Sequence, residues 1–317
     1  MAWIWQLLGG VVLFLFGMAL MGEHIHQLAG GRLERTLRRV TAGRYRGALA
    51  GFLTTAVVQS SSAVTVLAVS LTDGGILPLR QTIPVVIGSN VGTTATAWLL
   101  CLRTGAYSDT TQIFTAAMAC AGLLLYLAVP KRRAWGGVLL GLFLLLLGME
   151  QMADAATPLA GTDAFQELTA LGEHPLLAVA AGTAVTGLLQ SSSASIGLLQ
   201  ALCATEAITW EMGVPLVLGG NIGTCVTVLM ASIGGGPNAK RAALAHLQFN
   251  LLGTTAAIPL WLAFGVPLRE LPISPMEIAA VHTGFNLFSA ALLLPLSDRL
   301  TGFFFAPSLK RRKTGQI

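Results

Sequence analysis

Seven stretches of the chain contain no Asp, Glu, Lys or Arg: residues 3–22, 82–102, 110–129, 134–149, 213–233, 242–264 and 278–297. A membrane crossing needs about 20 mainly apolar residues, and six of the seven runs supply that length. The fourth is short and reads as running on past Glu150. Hydrophobic residues make up 54% of the 317 positions and charged ones only 10%, too few to cover the apolar surface of a soluble globule. The bilayer is therefore the solvent, and the expected class is an all-α integral membrane protein.

Two further uncharged runs, 47–72 and 175–205, carry polar knots at their centres: Gln59-Ser60-Ser61-Ser62 and Gln190-Ser191-Ser192-Ser193. Backbone exposed to lipid must be hydrogen-bonded internally. A polar break at mid-depth is tolerated where it is buried in protein or lines a cavity, as in a re-entrant helical hairpin. The charges separate a hairpin from a crossing. If both knotted runs turn back, seventeen of the nineteen Lys and Arg share one side, leaving Arg103 and Arg269 opposite; if both cross, the split falls to fourteen to five. The positive-inside rule favours hairpins, with the N-terminus outside and the C-terminus cytoplasmic. The expectation is seven crossings plus two hairpins in the inner membrane.

The net charge of +5 does not imply nucleic acid, because the basic residues form short clusters between apolar runs rather than one face. Cys101, Cys120, Cys203 and Cys225 lie in apolar stretches without metal-ligand or CxxC spacing and read as packed thiols. The first run lacks a preceding basic segment and a cleavage site, so it reads as a retained span.

Subtracting 59 from 190 gives 131, and this one offset aligns two long segments without a gap. Gly17-Met18 meets Gly148-Met149, Gly51 meets Gly182, Pro84 meets Pro215, and Asn90, Gly92, Thr93 and Thr96 meet Asn221, Gly223, Thr224 and Thr227. The organisation read from this is a first copy over 1–133, a second over 134–264, and an added span with a basic tail over 265–317. Three crossings separate the starts of the copies, and an odd number inverts the second. Inverted repeats are a signature of secondary transporters, which hold substrate and coupling ions near mid-membrane. After the first span of each copy, residues 23–47 and 153–174 are too charged to cross and read as connectors.

Each knot should end one half-helix near its Gln and open another at its Ser run. The free N–H groups of that second half-helix, the positive end of its dipole and three hydroxyls form an anion site without fixed charge. Two such ends meeting would cradle a tetrahedral oxyanion. The second duplicated element is Gly88-Ser89-Asn90-Val91-Gly92-Thr93-Thr94 and Gly219-Gly220-Asn221-Ile222-Gly223-Thr224-Cys225. It reads either as unwound helix whose carbonyls, Asn and Thr oxygens hold a small cation, or as a close helix crossing at which Gly lets backbones touch. No charged residue lies deep in a span, which favours sodium over proton coupling. His246 and His282, each followed four residues later by Asn, read as packing histidines.

These motifs resemble the sodium-dependent phosphate cotransporter family, in particular the bacterial relatives of the type II sodium/phosphate cotransporters. The likeness rests on the paired QSSS and GxNxGT motifs and on the RAALAHLQFN and AAVHTGFN stretches. It implies a non-enzymatic symporter of inorganic phosphate with Na+ as coupling ion and no other cofactor. Phosphate would be held by Gln59, Ser60, Ser61, Ser62, Gln190, Ser191, Ser192 and Ser193. Sodium would be held by Asn90, Thr93, Thr94, Asn221 and Thr224. Cys225 stands where the first copy has Thr94, so the two ion sites need not be equivalent. Other oxyanions, net export, and a membrane serine hydrolase using a QSSS hydroxyl are the competing readings. The oligomeric state stays open, a homodimer being one arrangement.

Overall fold

The structure is a computed structural model that describes residues 2–30, 43–101, 109–170, 174–203, 206 and 208–299. The connector expected over 23–47 lies partly, and the basic tail almost wholly, outside these residues. The described elements are helices and short helical turns, apart from an isolated bridge between Thr209 and Pro272. In chain order the α-helices are α1 (Ala2–Ala29), α2 (Arg44–Val58), α3 (Ser61–Asp73), α4 (Leu79–Cys101), α5 (Asp109–Ala128) and α6 (Arg133–Ala160). They continue with α7 (Asp163–Ala170), α8 (Pro175–Leu189), α9 (Ser192–Cys203), α10 (Trp210–Gly223), α11 (Cys225–Ser232), α12 (Pro237–Phe264) and α13 (Pro275–Leu293).

Six helical segments among the described residues are long and apolar enough to cross a membrane: α1, α4, residues 130–160, residues 210–232, α12 and α13. The seventh expected crossing is α5. It spans 20 residues, Asp109–Ala128, with an apolar stretch over Ile113–Ala128. The short fourth run does continue past Glu150, as α6.

The 131-residue offset recurs in the helix bounds. Adding 131 to the ends of α1 gives those of α6, and adding it to α2 gives α8. The start of α3 maps to the start of α9, and α4 maps onto α10 and α11 together. The same local chemistry stops and starts the helices in both copies. Gln59 (φ 59°) and Gln190 (φ 53°) close α2 and α8 in the left-handed conformation, which ends a helix and turns the chain. The hydroxyls of Ser60 and Ser191 then accept the N–H of Ala63 and Ala194, both at 3.2 Å, capping α3 and α9.

Close packing of α2 on α4 is set by Gly88, whose added Cβ would strike the carbonyl oxygen of Ala48; Gly219 meets that of Val179 in the matching crossing of α8 on α10. Helix α4 is continuous through its Gly-Ser-Asn-Val-Gly-Thr-Thr segment, so the glycines permit contact rather than unwinding there. In the second copy the break between α10 and α11 at Thr224 keeps helical dihedrals.

Contacts gather at two ends of α4. At its start, the Arg44 guanidinium donates to Pro295 O (2.7 Å), Arg80 pairs with Asp298 (3.1 Å), and Asp73 accepts from Gly236 N (2.8 Å) and Ala239 N (3.3 Å). At its finish, the Gln200 amide donates to Cys101 Sγ (3.3 Å) and Pro275 O (2.9 Å). Phe165, Ile208 and Ile273 pack together in the cluster that covers this second end.

Candidate substrate cavity between the two helix breaks

A cavity of about 330 Å³ is lined by all eight residues of the two Gln-Ser-Ser-Ser segments. Its remaining wall is Val58, Ala63 and one face of α1: Leu15, Met18, Ala19, Gly22, Glu23 and His26. The oxyanion cradle expected from sequence therefore has its residues on one wall. Among the described residues the N–H groups of Ser61 and Ser62, and of Ser192 and Ser193, find no backbone carbonyl, as the first donors of any helix do not. Donors and dipole ends of α3 and α9 thus converge on a space with no fixed cation, an arrangement suited to an anion.

The two breaks are not equivalent. Gln59 is half-buried; its Oε1 accepts from the Thr96 hydroxyl (2.9 Å) and its amide donates to Ala56 O (2.5 Å). Thr96 in turn accepts from Ser193 Oγ (3.3 Å), so one hydroxyl of α4 joins the two breaks. Gln190 is exposed, and its amide reaches only the sulfur of Met230 at 3.6 Å. Thr227, the counterpart of Thr96, donates to Gln190 O (3.3 Å) instead of to a side chain.

None of the five expected sodium ligands is on the cavity wall. Asn90 donates to Asn250 Oδ1 (3.0 Å) and its own Oδ1 lies 3.2 Å from His246 Nε2, so it bridges α4 and α12. Thr93, Thr94 and Thr224 donate to the carbonyls of Ser89, Val91 and Gly220, and Asn221 donates to that of Val217. Cys225 accepts from Asn250 at 3.3 Å where Thr94 has no such partner. Ser89 links this layer to the first break through Thr55 (2.7 Å) and Ser61 O (3.4 Å). Its counterpart Gly220 has no hydroxyl, which leaves Thr186 Oγ1 buried without a partner. His246 and His282 are buried, and the Nδ1 of each has no partner. Among the described residues no three His, Cys, Asp or Glu cluster as metal ligands.

Two residues of the wall, Glu23 and His26, escape a hydropathy reading, because the uncharged run stops at residue 22 while α1 continues to Ala29. Their signal is a helical one, recurring at 15, 18, 19, 22, 23 and 26 along one face.

The profile of the Na+/Pi-cotransporter family matches residues 13–154 and again 144–294. The chain belongs to the Na+/Pi-cotransporter family. This Na+/Pi-cotransporter family member is 31% identical over 295 residues to the uncharacterized protein YqeW of Bacillus subtilis, covering 91% of this chain and 92% of that one. It is 27% identical over 302 residues to the putative inorganic phosphate export protein YjbB of Escherichia coli, covering 94% of this chain but 54% of that protein. Over 132 residues it is 35% identical to the human sodium-dependent phosphate transport protein 2B, covering 38% of this chain and 18% of that protein. No solved structure matches the chain.

Proposed function

We propose that this membrane protein is a secondary transporter that moves inorganic phosphate together with sodium. The observation that carries the reading is the single cavity walled by both Gln-Ser-Ser-Ser segments in a chain of this family. Phosphate would sit among Gln59, Ser60, Ser61, Ser62, Gln190, Ser191, Ser192 and Ser193, taking the free N–H groups and hydroxyls. Sodium would sit behind them, in the layer of Asn90, Thr93, Thr94, Asn221 and Thr224. Bringing in a doubly charged anion against an inside-negative potential costs about 4.6 kcal/mol per 100 mV, so import requires a driving ion. Purified protein in liposomes should take up radioactive phosphate under an inward sodium gradient. Uptake that follows a proton gradient and ignores sodium sinks the symport reading. The putative exporter among the relatives favours a second direction, outward flux through the same cavity. Phosphate loss from preloaded liposomes with sodium inside measures it.

The arrangement we infer is two inverted repeats with re-entrant hairpins α2–α3 and α8–α9, the N-terminus outside and the C-terminus in the cytoplasm. Helices of 12 to 15 residues span about 18–22 Å, short of a hydrocarbon core of about 30 Å. Arg44 before the first break and Arg80 after it both reach residues 295–298, as a hairpin returning to its own side requires. Cysteines replacing Arg46 and Gly75, flanking the first hairpin, should be shielded from an impermeant thiol reagent in sealed cells, whereas those at His174 and Glu206 should react. Opposite accessibility of Arg46 and Gly75 would mean that the segment crosses.

A further inference from the structure

Glu23 is the one carboxylate among the wall residues of the cavity; it is exposed, accepts from the Gln27 amide at 3.4 Å, and shares the cavity with donors arranged for an anion. Like charges brought together in one cavity oppose each other unless a cation lies between them. The carboxylate is therefore misplaced for binding phosphate alone and well placed for binding phosphate with a cation. Its position also has a twin. Adding 131 to 23 gives Asp154, on the face of α6 that corresponds to the cavity face of α1. Both carboxylates are exposed in this structure, but Glu23 is on the cavity wall and Asp154 is absent from it. The two copies thus meet the substrate space unequally. Helix α1 lends it a wall, while α6 packs along α1 and α9.

We propose that Glu23 and Asp154 are matched mouth carboxylates. Each enters the cavity only in the state open to its own side, and there it holds a monovalent coupling cation beside the phosphate. In the inverted arrangement Glu23 lies toward the cytoplasmic end of α1 and Asp154 toward the outer end of α6. The structure then depicts the state open to the cytoplasm, and the opposite state brings Asp154 to the hairpin tips. This inference rests on the phosphate and sodium reading above and adds two residues to it. His26 is the other ionisable wall residue; Thr157 occupies its place in the second copy, so only the carboxylate is shared by both mouths.

The test uses full-length protein in right-side-out and inverted membrane vesicles, with radioactive phosphate flux followed as sodium is varied on the outer face of each. Glu23→Gln should weaken the sodium stimulation of phosphate entry from the cytoplasmic face by roughly tenfold in apparent sodium affinity and leave the external face near wild type. Asp154→Asn should do the reverse. Glu23→Asp, which keeps the charge, should restore most of the sodium response, a result that a purely structural role does not require. Variants that transport phosphate with wild-type sodium dependence on both faces overturn the inference and leave the transport reading standing, as do variants that shift both faces equally. Wild-type flux that ignores sodium in both vesicle types overturns both together.

Discussion

Gln190→Ala should reduce phosphate affinity by roughly tenfold to a hundredfold while leaving insertion and folding intact. Gln190 is on the cavity wall and its amide has no partner better than the Met230 thioether at 3.6 Å, so removing it costs the folded protein little. A ligand that relied on that amide would lose one buried polar contact, worth about 1–3 kcal/mol. Ala also holds the left-handed backbone of the break no worse than Gln, so the effect reports the amide rather than the turn. Gln59→Ala should cost more than affinity. It frees the Thr96 hydroxyl, which now joins Gln59 to Ser193, and so loosens one helix break from the other. The expected signature is a loss of transport rate added to the loss of affinity. Gln6, on α1 away from the cavity, serves as the control and should tolerate Ala. Binding and flux measurements on protein verified as inserted decide the matter. If Gln59→Ala and Gln190→Ala both keep wild-type affinity and rate, the cavity between the breaks is not the phosphate site.

The breaks were legible because a Gln and three Ser inside an uncharged run have no local reason to be there. The 131-residue register was legible because it holds polar residues in step over a distance that apolar similarity does not span. The unequal roles of the two Gln residues were not legible, since the sequences of the two breaks are identical and the difference lies in what Thr96 and Thr227 touch. Glu23 and His26 were missed for a different reason. Hydropathy ends a span at its first charged residue, whereas a helix continues as long as its backbone bonds do. The segment around Asn90 read as an ion site or a close helix crossing, and in the structure Asn90 bonds Asn250 and His246 on α12. A bridge of this kind is compatible with a nearby sodium, but sequence alone could not find its partners 156 and 160 residues away.

Gly88→Ala and Gly219→Ala should each be among the most damaging single-methyl changes in the chain. Adding a methyl group to a helix usually helps, by about 1 kcal/mol relative to Gly, because it limits the unfolded chain. At these two positions the methyl has no space, for the carbonyl oxygens of Ala48 and Val179 already lie within the reach of a Cβ. Backbone cannot swing aside as a side chain can, so each helix pair must move apart. Overpacking of this kind costs about 1–3 kcal/mol or more, which outweighs the helix gain. The consequence extends to the cavity, because Ser89 follows Gly88 and bonds Thr55 and Ser61 O across the same crossing. A helix pair forced apart should therefore lose transport as well as stability. Gly284→Ala on α13 is the matched control, since nothing lies within 4 Å of its added Cβ and the substitution should be neutral or stabilising. Thermal unfolding in detergent, read by fluorescence-detected gel filtration, distinguishes the cases. Melting of Gly88→Ala and Gly219→Ala at or above the Gly284→Ala value would show that these glycines are not close-packing contacts, and their part in the duplicated motif would then have to be sought in ion binding instead.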